Sequence, residues 1–273
     1  MYAGISGMKN FQTKLDVIGN NIANVNTAGF KKGRITFQDM LSQTSQGASG
    51  PTANRGGINP QQVGTGSKIG SIDTIHTEGF QQYTGGPYDV MIQGDGMFAV
   101  QMSADNNDRA YTRSGNFGLS DDGNGMNNLI TTSGYKLLNA DGQPIAIPKE
   151  AEKITIEGNG KITYLIDGQP VDNPDAIIGL AIIPNPGGLE KIGGNLYRNT
   201  NNSGYDQQQD GLSAPENKEV GAGSLVSGVL EMSNVDLSEE FTEMITAQRA
   251  FQANTRIITT SDEILQELVN LKR

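Results

Sequence analysis

Residues 237–271 of the chain, LSEEFTEMITAQRAFQANTRIITTSDEILQELVNL, decide its fold because their apolar side chains follow one helical spacing along the whole stretch. Large apolar residues recur every seven positions at Leu237, Met244, Phe251, Ile258 and Leu265. Phe241 and Val269 occupy the second position of the same repeat. This is the pattern of a coiled-coil seam. A second apolar stripe lies one position away and consists of Ala250, Ile257, Ile264 and Leu271. The predicted helix therefore has an apolar face wider than one partner helix can cover.

We expect this helix to begin near Asp236 or Ser238, where a capping side chain is followed by Glu239 and Glu240. Two carboxylates in the first turn suit the positive end of the helix dipole. A helix that runs unbroken to Leu271 has about 35 residues and is about 52 Å long. A helix of this length, without proline, rarely stands alone in a compact domain.

The beginning of the chain carries a matching seam. Its apolar residues are spaced by three and four positions in alternation: Met8, Phe11, Leu15, Ile18, Ile22 and Val25. We predict a helix from Ile5 to Val25 that ends before Gly29. Four asparagines crowd its last two turns, and they form either a solvated helix end or a specific subunit contact: Asn20, Asn21, Asn24 and Asn26. Two seams at opposite ends suggest that the termini meet and pack against further copies.

The middle of the chain has a different composition. Residues 31–70 include a long run of Ser, Gly, Gln, Pro, Asn and Thr, which predicts an extended linker. Residues 71–228 contain short apolar runs separated by turn pairs, which predict an antiparallel β-domain. Hairpins are expected at Gly94–Gly96, Asp141–Gly142, Glu157–Gly160 and Asp167–Gly168, and a buried strand at Ile177–Ile183. The predicted fold is α+β: a discontinuous helical coiled-coil domain from both termini, with an inserted all-β domain.

Composition narrows the range of functions. The net charge is −10, which argues against non-specific binding to nucleic acid or to an anionic membrane. The sequence has no run of about 18 apolar residues, so we expect no insertion into a membrane. Residues 1–45 carry a net charge of +3 and residues 234–273 one of −3, so the two ends attract each other modestly. The absence of Cys excludes disulfides and thiolate sites. The first residues have no basic segment followed by an apolar one, so we expect no cleaved secretory signal.

No arrangement of residues points to catalysis, a cofactor or a metal centre. His76 is the only histidine, and we expect it to be structural. The loop 120–125 resembles the start of a calcium loop through Asp122, Asn124 and Gly125, but Ser120 and Thr131 stand where an EF-hand needs carboxylates. That loop is either a hairpin turn or a cation site. We interpret Glu239, Glu240 and Glu243 as a solvated helix start.

Four stretches resemble a known family. Residues 15–31, LDVIGNNIANVNTAGFK, are similar to the N-terminal signature of the flagellar axial proteins, the rod and hook family of the bacterial flagellum. Residues 230–237, LEMSNVDL, resemble its C-terminal signature, which continues through Met244, Gln248, Arg249, Phe251 and Asn254. Residues 94–98 and 111–117 resemble its β-domain motifs. The family motif of the first stretch includes Asn20, Asn21, Asn24, Asn26, Gly29 and Phe30.

The resemblance implies a structural protein rather than an enzyme. Both terminal helices, 1–30 and 229–273, would form the inner tube of a helical homopolymer that surrounds an export channel. The β-domain would face outward, and the chain would leave the cell through the flagellar type III export apparatus. The subunit interface would include Met8, Phe11, Leu15, Ile18, Ile22, Val25, Phe241, Met244, Phe251, Ile258 and Leu265. Family members usually have residues before the position of Tyr2, so Met1 is expected to mark a shortened start.

Within this family the resemblance favours a short hook protein over the distal rod protein. Residues 37–40, FQDM, and the pair Asp236–Leu237 are more similar to hook proteins, whereas the chain length fits the distal rod equally well. Adjacent axial and junction proteins would be partners in either case. A filament-cap or adhesive surface module is a further alternative, but it would not need two matched helical ends.

Overall fold

The computed structural model describes residues 2–51, 55–103, 108–123, 125–166, 168–205, 211–217 and 221–271. Its contacts divide the chain into two compact units, each assembled from separate stretches of sequence. Unit 1 comprises Met1–Ala23, Gly33–Thr74 and Asp236–Arg273, and unit 2 comprises Asn24–Lys32 and Ile75–Val235. The chain is therefore a mixed helix and strand protein, with one helix near each end and strands between them.

Unit 1 contains both helices. Helix α1 spans Tyr2–Ala23, three residues further toward the N-terminus than predicted at its start and two at its end. Helix α2 spans Leu237–Leu271 and has 35 residues, as the apolar spacing predicts. The Asp236 carboxylate accepts hydrogen bonds from the backbone N–H groups of Ser238, at 2.8 Å, and Glu239, at 3.4 Å. These bonds cap the N-terminus of α2.

The two helices pack against each other in opposite directions. Near the start of α1, Gly4 lies beside Ile257 and Ile258 of α2. Near its end, Asn21 bonds to Glu240 at the start of α2. Helix α1 has 22 residues against 35 in α2, so α2 extends past it by roughly 20 Å at 1.5 Å per residue.

The rest of unit 1 is strand. Strands β1 (Gly33–Asp39) and β4 (Ser67–Thr74) pair antiparallel, and β2 (Ser42–Gln46) pairs with β3 (Gln61–Gly64). The predicted linker, 31–70, thus contains backbone ladders that its polar composition did not indicate. Most side chains of these strands are exposed, so the ladders depend on backbone hydrogen bonds more than on burial.

Unit 2 holds sixteen further strands among its described residues. They are β5 (Gln81–Tyr83), β6 (Val90–Gln93), β7 (Met97–Gln101), β8 (Arg109–Thr112), β9 (Phe117–Asp121), β10 (Met126–Thr131), β11 (Lys136–Leu137), β12 (Ala146–Pro148), β13 (Lys153–Ile156), β14 (Lys161–Ile166), β15 (Gln169–Ile177), β16 (Leu180–Ala181), β17 (Glu190–Gly193), β18 (Leu196–Arg198), β19 (Ser224–Ser227) and β20 (Val229–Glu231). A short 3-10 turn, Pro186–Gly188, precedes β17. The expected β-structure of the middle region is present.

The largest sheet has nine strands. Seven follow the order β12-β10-β11-β7-β8-β18-β17, while β16 also pairs with β7 and β9 with β10. Strands β13, β14 and β15 form a second sheet, and the pairs β19-β6 and β20-β5 complete the unit. Every strand pairing among the described residues is antiparallel. Fully buried apolar side chains such as Phe98, Leu129 and Ile162 form the core.

The turn predictions had mixed outcomes. The hairpin at Glu157–Gly160 is confirmed, because Ile156 pairs with Ile162. The hairpin at Gly94–Gly96 is wrong: β6 pairs with β19 and β7 with β8, so this turn carries the chain from one sheet to another. Ile166 pairs with Gln169 across the next predicted turn, whose Asp167 lies outside the described residues. The run Ile177–Ile183 is divided between the end of β15 and the short β16.

Candidate assembly interface

Helix α1 approaches α2 through its smallest side chains. The described buried residues of α1 are Gly4, Gly7, Asn10, Ile18 and Asn21. A Cβ atom at Gly7 would lie 3.0 Å from the Asn254 amide nitrogen, closer than ordinary van der Waals contact. Met8 is half-buried there, and its sulfur lies 4.0 Å from the Thr255 hydroxyl. The glycines thus permit a close helix pair that the apolar seam alone did not predict.

Polar groups hold the other end of this helix pair. The Asn21 amide donates to both carboxylate oxygens of Glu240, at 3.2 Å each, and to the Gly33 carbonyl at 2.9 Å. The Gly33 N–H donates to the Asn21 side-chain oxygen at 2.9 Å. Lys14 and Glu243 form a partly exposed ion pair at 3.0 Å. A buried Asn with satisfied hydrogen bonds fixes alignment more than it adds stability.

The predicted seam residues occupy three environments. Ile18 is buried, whereas the other seam residues of the N-terminal stretch are half-buried: Met8, Phe11, Leu15, Ile22 and Val25. The Phe11 ring lies 5.7 Å from the Phe37 ring of β1, so Phe11 contacts the strand pair of its own unit. On α2, Met244, Phe251 and Ile258 are half-buried. Phe241 and Leu265 are 49% and 45% exposed.

The last ten residues of α2, 262–271, are all exposed. Half of them are large and apolar: Ile264, Leu265, Leu268, Val269 and Leu271. Two of these, Ile264 and Leu271, belong to the second apolar stripe. Because α2 extends past α1 here, these side chains have no cover from α1. A contiguous exposed apolar surface of this kind marks an interaction site. We call residues 262–271 the α2 extension.

The family-motif residues beyond α1 lie in unit 2. Asn24 is held locally, accepting hydrogen bonds from the Thr27 N–H at 3.1 Å and the Thr27 hydroxyl at 3.2 Å. Asn26 is exposed. Gly29 has φ +72°, and its N–H donates to the Glu231 carbonyl at 2.8 Å. The Lys191 ammonium lies 5.2 Å from the centre of the Phe30 ring, at cation–π distance.

A buried ion cluster lies beside this motif. The Lys31 and Glu231 side chains are fully buried, and the Lys31 ammonium lies 2.5 Å from the carboxylate. Arg113 is 4% exposed and donates to the other carboxylate oxygen at 3.4 Å. Arg113 also donates to the carbonyls of Ile92 and Gly94 at 3.3 and 2.8 Å. Two cations therefore share one carboxylate away from water.

Burial shapes the titration of this region. Desolvation lowers the pKa of Lys31, and the Glu231 carboxylate acts in the opposite direction. Burial also lowers the pKa of His76 to about 4, with the positive charges of Lys31, Lys191 and Arg113 adding to the effect. His76 therefore stays neutral at physiological pH.

The described residues give no support to the cation site. The Asp122 carboxylate accepts from Lys136 at 2.7 Å, and Asp121 pairs with Lys149. Both carboxylates thus have lysine partners in a hairpin where Asn127 pairs with Asp121. Asn124 lies outside the described residues. Across the described part of the chain, no group of three or more His, Cys, Asp or Glu side chains could hold a metal, and no helix is long and apolar enough to cross a membrane.

Comparison with known proteins places these features in a family. Three family models match: "Flagella basal body rod protein" at residues 1–31, "Flagellar hook protein FlgE/F/G D1 domain" at 91–164 and "Flagellar basal body rod FlgEFG protein C-terminal" at 226–271. The flagellar basal-body rod protein FlgG of Bacillus subtilis is 53% identical, with alignment of 100% of this chain and 98% of that protein. The chain belongs to the flagellar rod and hook protein family. It is a structural component of the flagellum, not an enzyme.

Two further relatives show how the rod and hook branches compare. The basal-body rod protein FlgG of Caulobacter vibrioides is 41% identical over 98% of this chain and 97% of its own. The flagellar hook protein FlgE of Borreliella burgdorferi is 30% identical over 100% of this chain and 99% of its own, in an alignment of 446 positions. The identity is higher to these two rod proteins than to this hook protein, so the comparisons favour the rod alternative over the hook reading that residues 37–40 and 236–237 suggested.

Sequence reasoning missed the buried ion cluster. Lys31 ends the N-terminal signature, Arg113 lies in a β-domain motif and Glu231 lies in the C-terminal signature. Each of the three lies inside a different stretch that resembles the family, and this shared property could have indicated that they contact one another. Charged residues are rarely buried unless paired, so three charges inside such stretches invite a search for mutual contact.

Proposed function

We propose that the chain is a subunit of the flagellar distal rod that polymerises into a helical tube and transmits torque. Its relatives named as rod proteins align with it from end to end, without the long additional segments that the hook alignment contains. Adjacent axial and junction proteins would be its neighbours in the basal body, outside the cytoplasmic membrane. The flagellar export apparatus would carry it there.

The α2 extension is the observation that carries the assembly part of this proposal. Leu268, Val269 and Leu271 are 57%, 67% and 83% exposed in the single chain. Covering a large apolar side chain is worth about 1.5–3 kcal/mol. Copies that pack these side chains against neighbouring α1 and α2 helices would form a coiled-coil inner tube, with the half-buried seam residues completing the contact.

Genetic complementation distinguishes rod from hook. The chain is expressed in one strain that lacks its rod subunit and in another that lacks its hook subunit, and basal bodies are imaged by electron microscopy. We expect a completed rod in the first strain and no hook in the second. Restoration of the hook alone would overturn the assignment.

A second arm addresses the surface-module alternative. A chain without residues 1–23 and 236–273 should fail to enter the flagellum, because it lacks both helices. If this shortened chain retains full function, then the helical ends are dispensable and a cap or adhesive role is correct. Electron microscopy of the purified full chain after polymerisation provides the positive control.

A further inference from the structure

We infer that Glu231 is a latch that couples the segment 229–235 to the rest of unit 2, so that loss of its carboxylate destabilises the whole unit. This inference concerns the folding of one chain and holds whether the subunit belongs to the rod or the hook. It rests on where the contacts of Glu231 lie in the sequence and on the charges that the carboxylate neutralises.

Glu231 joins parts of the chain that are far apart in sequence. Its carboxylate bonds to Lys31, 200 residues earlier, to Arg113, 118 residues earlier, and to the Gly79 N–H at 3.0 Å. Its carbonyl accepts from the Gly29 N–H. One residue therefore closes four contacts whose other partners occupy three separate segments.

The neighbours of Glu231 in sequence also bond to the segments 29–32 and 75–83. Strand β20 pairs with β5, with Leu230 opposite Gln82, and the Met232 N–H donates to the Phe80 carbonyl at 2.8 Å. The Asn234 side chain accepts from the Lys32 N–H at 2.8 Å and donates to the Ile75 carbonyl at 2.9 Å. The segment 229–235 can form these bonds only when 29–32 and 75–83 are already in place, which makes their docking mutually dependent.

Charge makes this dependence severe. Without the carboxylate, Lys31 and Arg113 would be two like charges in a site that excludes water. The other carboxylate that acts on Lys31, that of Glu78, has a weaker effect on it than Glu231 and would compensate little. Breaking a buried pair by removing one partner is strongly destabilising, whereas replacing every charged member with apolar residues is often neutral. Lys31 keeps one backbone acceptor, the Thr77 carbonyl at 2.7 Å, which cannot replace an anion. The core strand β8 ends at Thr112, directly before Arg113, so loss of the latch reaches the nine-stranded sheet.

The test uses the full chain and hydrogen exchange read amide by amide. In Glu231→Gln we expect the slowest amides of β7 and β8 to exchange about 100-fold faster or more, together with those of 29–32. The matched control is Glu190→Gln, an exposed glutamate on β17 of the same unit, which should leave exchange unchanged. If only the amides of residues 229–235 exchange faster, then Glu231 stabilises only its own segment and the inference is refuted.

A second variant separates charge from shape. The triple variant Lys31→Met, Arg113→Met, Glu231→Met removes all three charges while it keeps long side chains in place. We expect its exchange in β7 and β8 to be at least tenfold slower than in Glu231→Gln. If the triple variant exchanges as fast as the single variant, neutralisation of the two cations is not what Glu231 supplies, and the inference falls.

Discussion

Gly29 allows the backbone of the segment 29–32 to approach the backbone at Ser114 closely. Its φ of +72° is costly for other residues, and an added Cβ would lie 2.5 Å from the Ser114 backbone nitrogen. We expect Gly29→Ala to lower the free energy of unfolding by about 3 kcal/mol or more, from backbone strain plus overlap. The control is Gly123→Ala, which has φ +77° but open space around it, and should cost about 1 kcal/mol. Urea denaturation measures both; equal losses would contradict the role of the close approach.

His76 gives the fold an acid dependence. Its pKa is about 4 in the folded chain and 6.5 when exposed, so the unfolded chain binds more protons between these values. Its contribution to stability is therefore complete above about pH 6.5 and is lost as the pH falls toward 4, by about 2 kcal/mol after allowance for partial exposure.

His76→Gln tests this contribution. The urea midpoint of the variant should fall less between pH 7 and pH 4.5 than that of the unaltered chain. Carboxylates titrate in the same range in both proteins, so the difference between the two profiles isolates the imidazole. Parallel profiles would show that the burial of His76 does not affect stability.

At the scale of elements, the close contact of α1 and α2 depends on Gly7. A leucine there would displace Asn254, whereas Gly19 of the same helix has open space around it. We expect Gly7→Leu to destabilise α1 by about 2 kcal/mol and to speed exchange of its amides. Gly19→Leu should stabilise α1 slightly, because both changes raise helix propensity and only the first one overpacks. Similar behaviour of the two variants would show that the contact tolerates side chains.

The elements differ in how well the sequence predicts them. The spacing of apolar residues predicts the length of α2 because that signal is local and repeats through the entire helix. The turn at Gly94–Gly96 looks like a hairpin, yet the partner of β6 is β19, more than 120 residues later. Turn residues specify a change of direction but not which strands pair. For the same reason the meeting of Lys31 with Glu231 has no local signal.

At the scale of the whole molecule, the boundaries of unit 2 determine which fragment can fold. The sequence predicted a β-domain at 71–228, whereas unit 2 also includes Asn24–Lys32 and continues to Val235. A fragment of residues 24–235 should therefore melt cooperatively. A fragment of 71–228 lacks both Lys31 and Glu231 and leaves Arg113 without its carboxylate, so it should melt at a lower temperature or aggregate. Calorimetry of the two fragments tests this expectation; equal melting would support the predicted boundary of 71–228.

Assembly and the stability of one chain depend on different parts of α2. Leu265 is 45% exposed and lies in the α2 extension, past the contact with α1. Leu265→Asp should therefore shift the melting temperature of the soluble chain by no more than about 2 °C.

In a polymer the same aspartate would be buried without a partner, at a cost of several kcal/mol per subunit, and polymers and motility should be lost. The control is Asn270→Asp, which adds the same charge at a polar position about 140° around the helix from Leu265. Light scattering and electron microscopy measure polymer formation. Polymers of the Leu265 variant would exclude this face as the subunit contact, whereas loss of its melting transition would show that the extension already belongs to the core of the single chain.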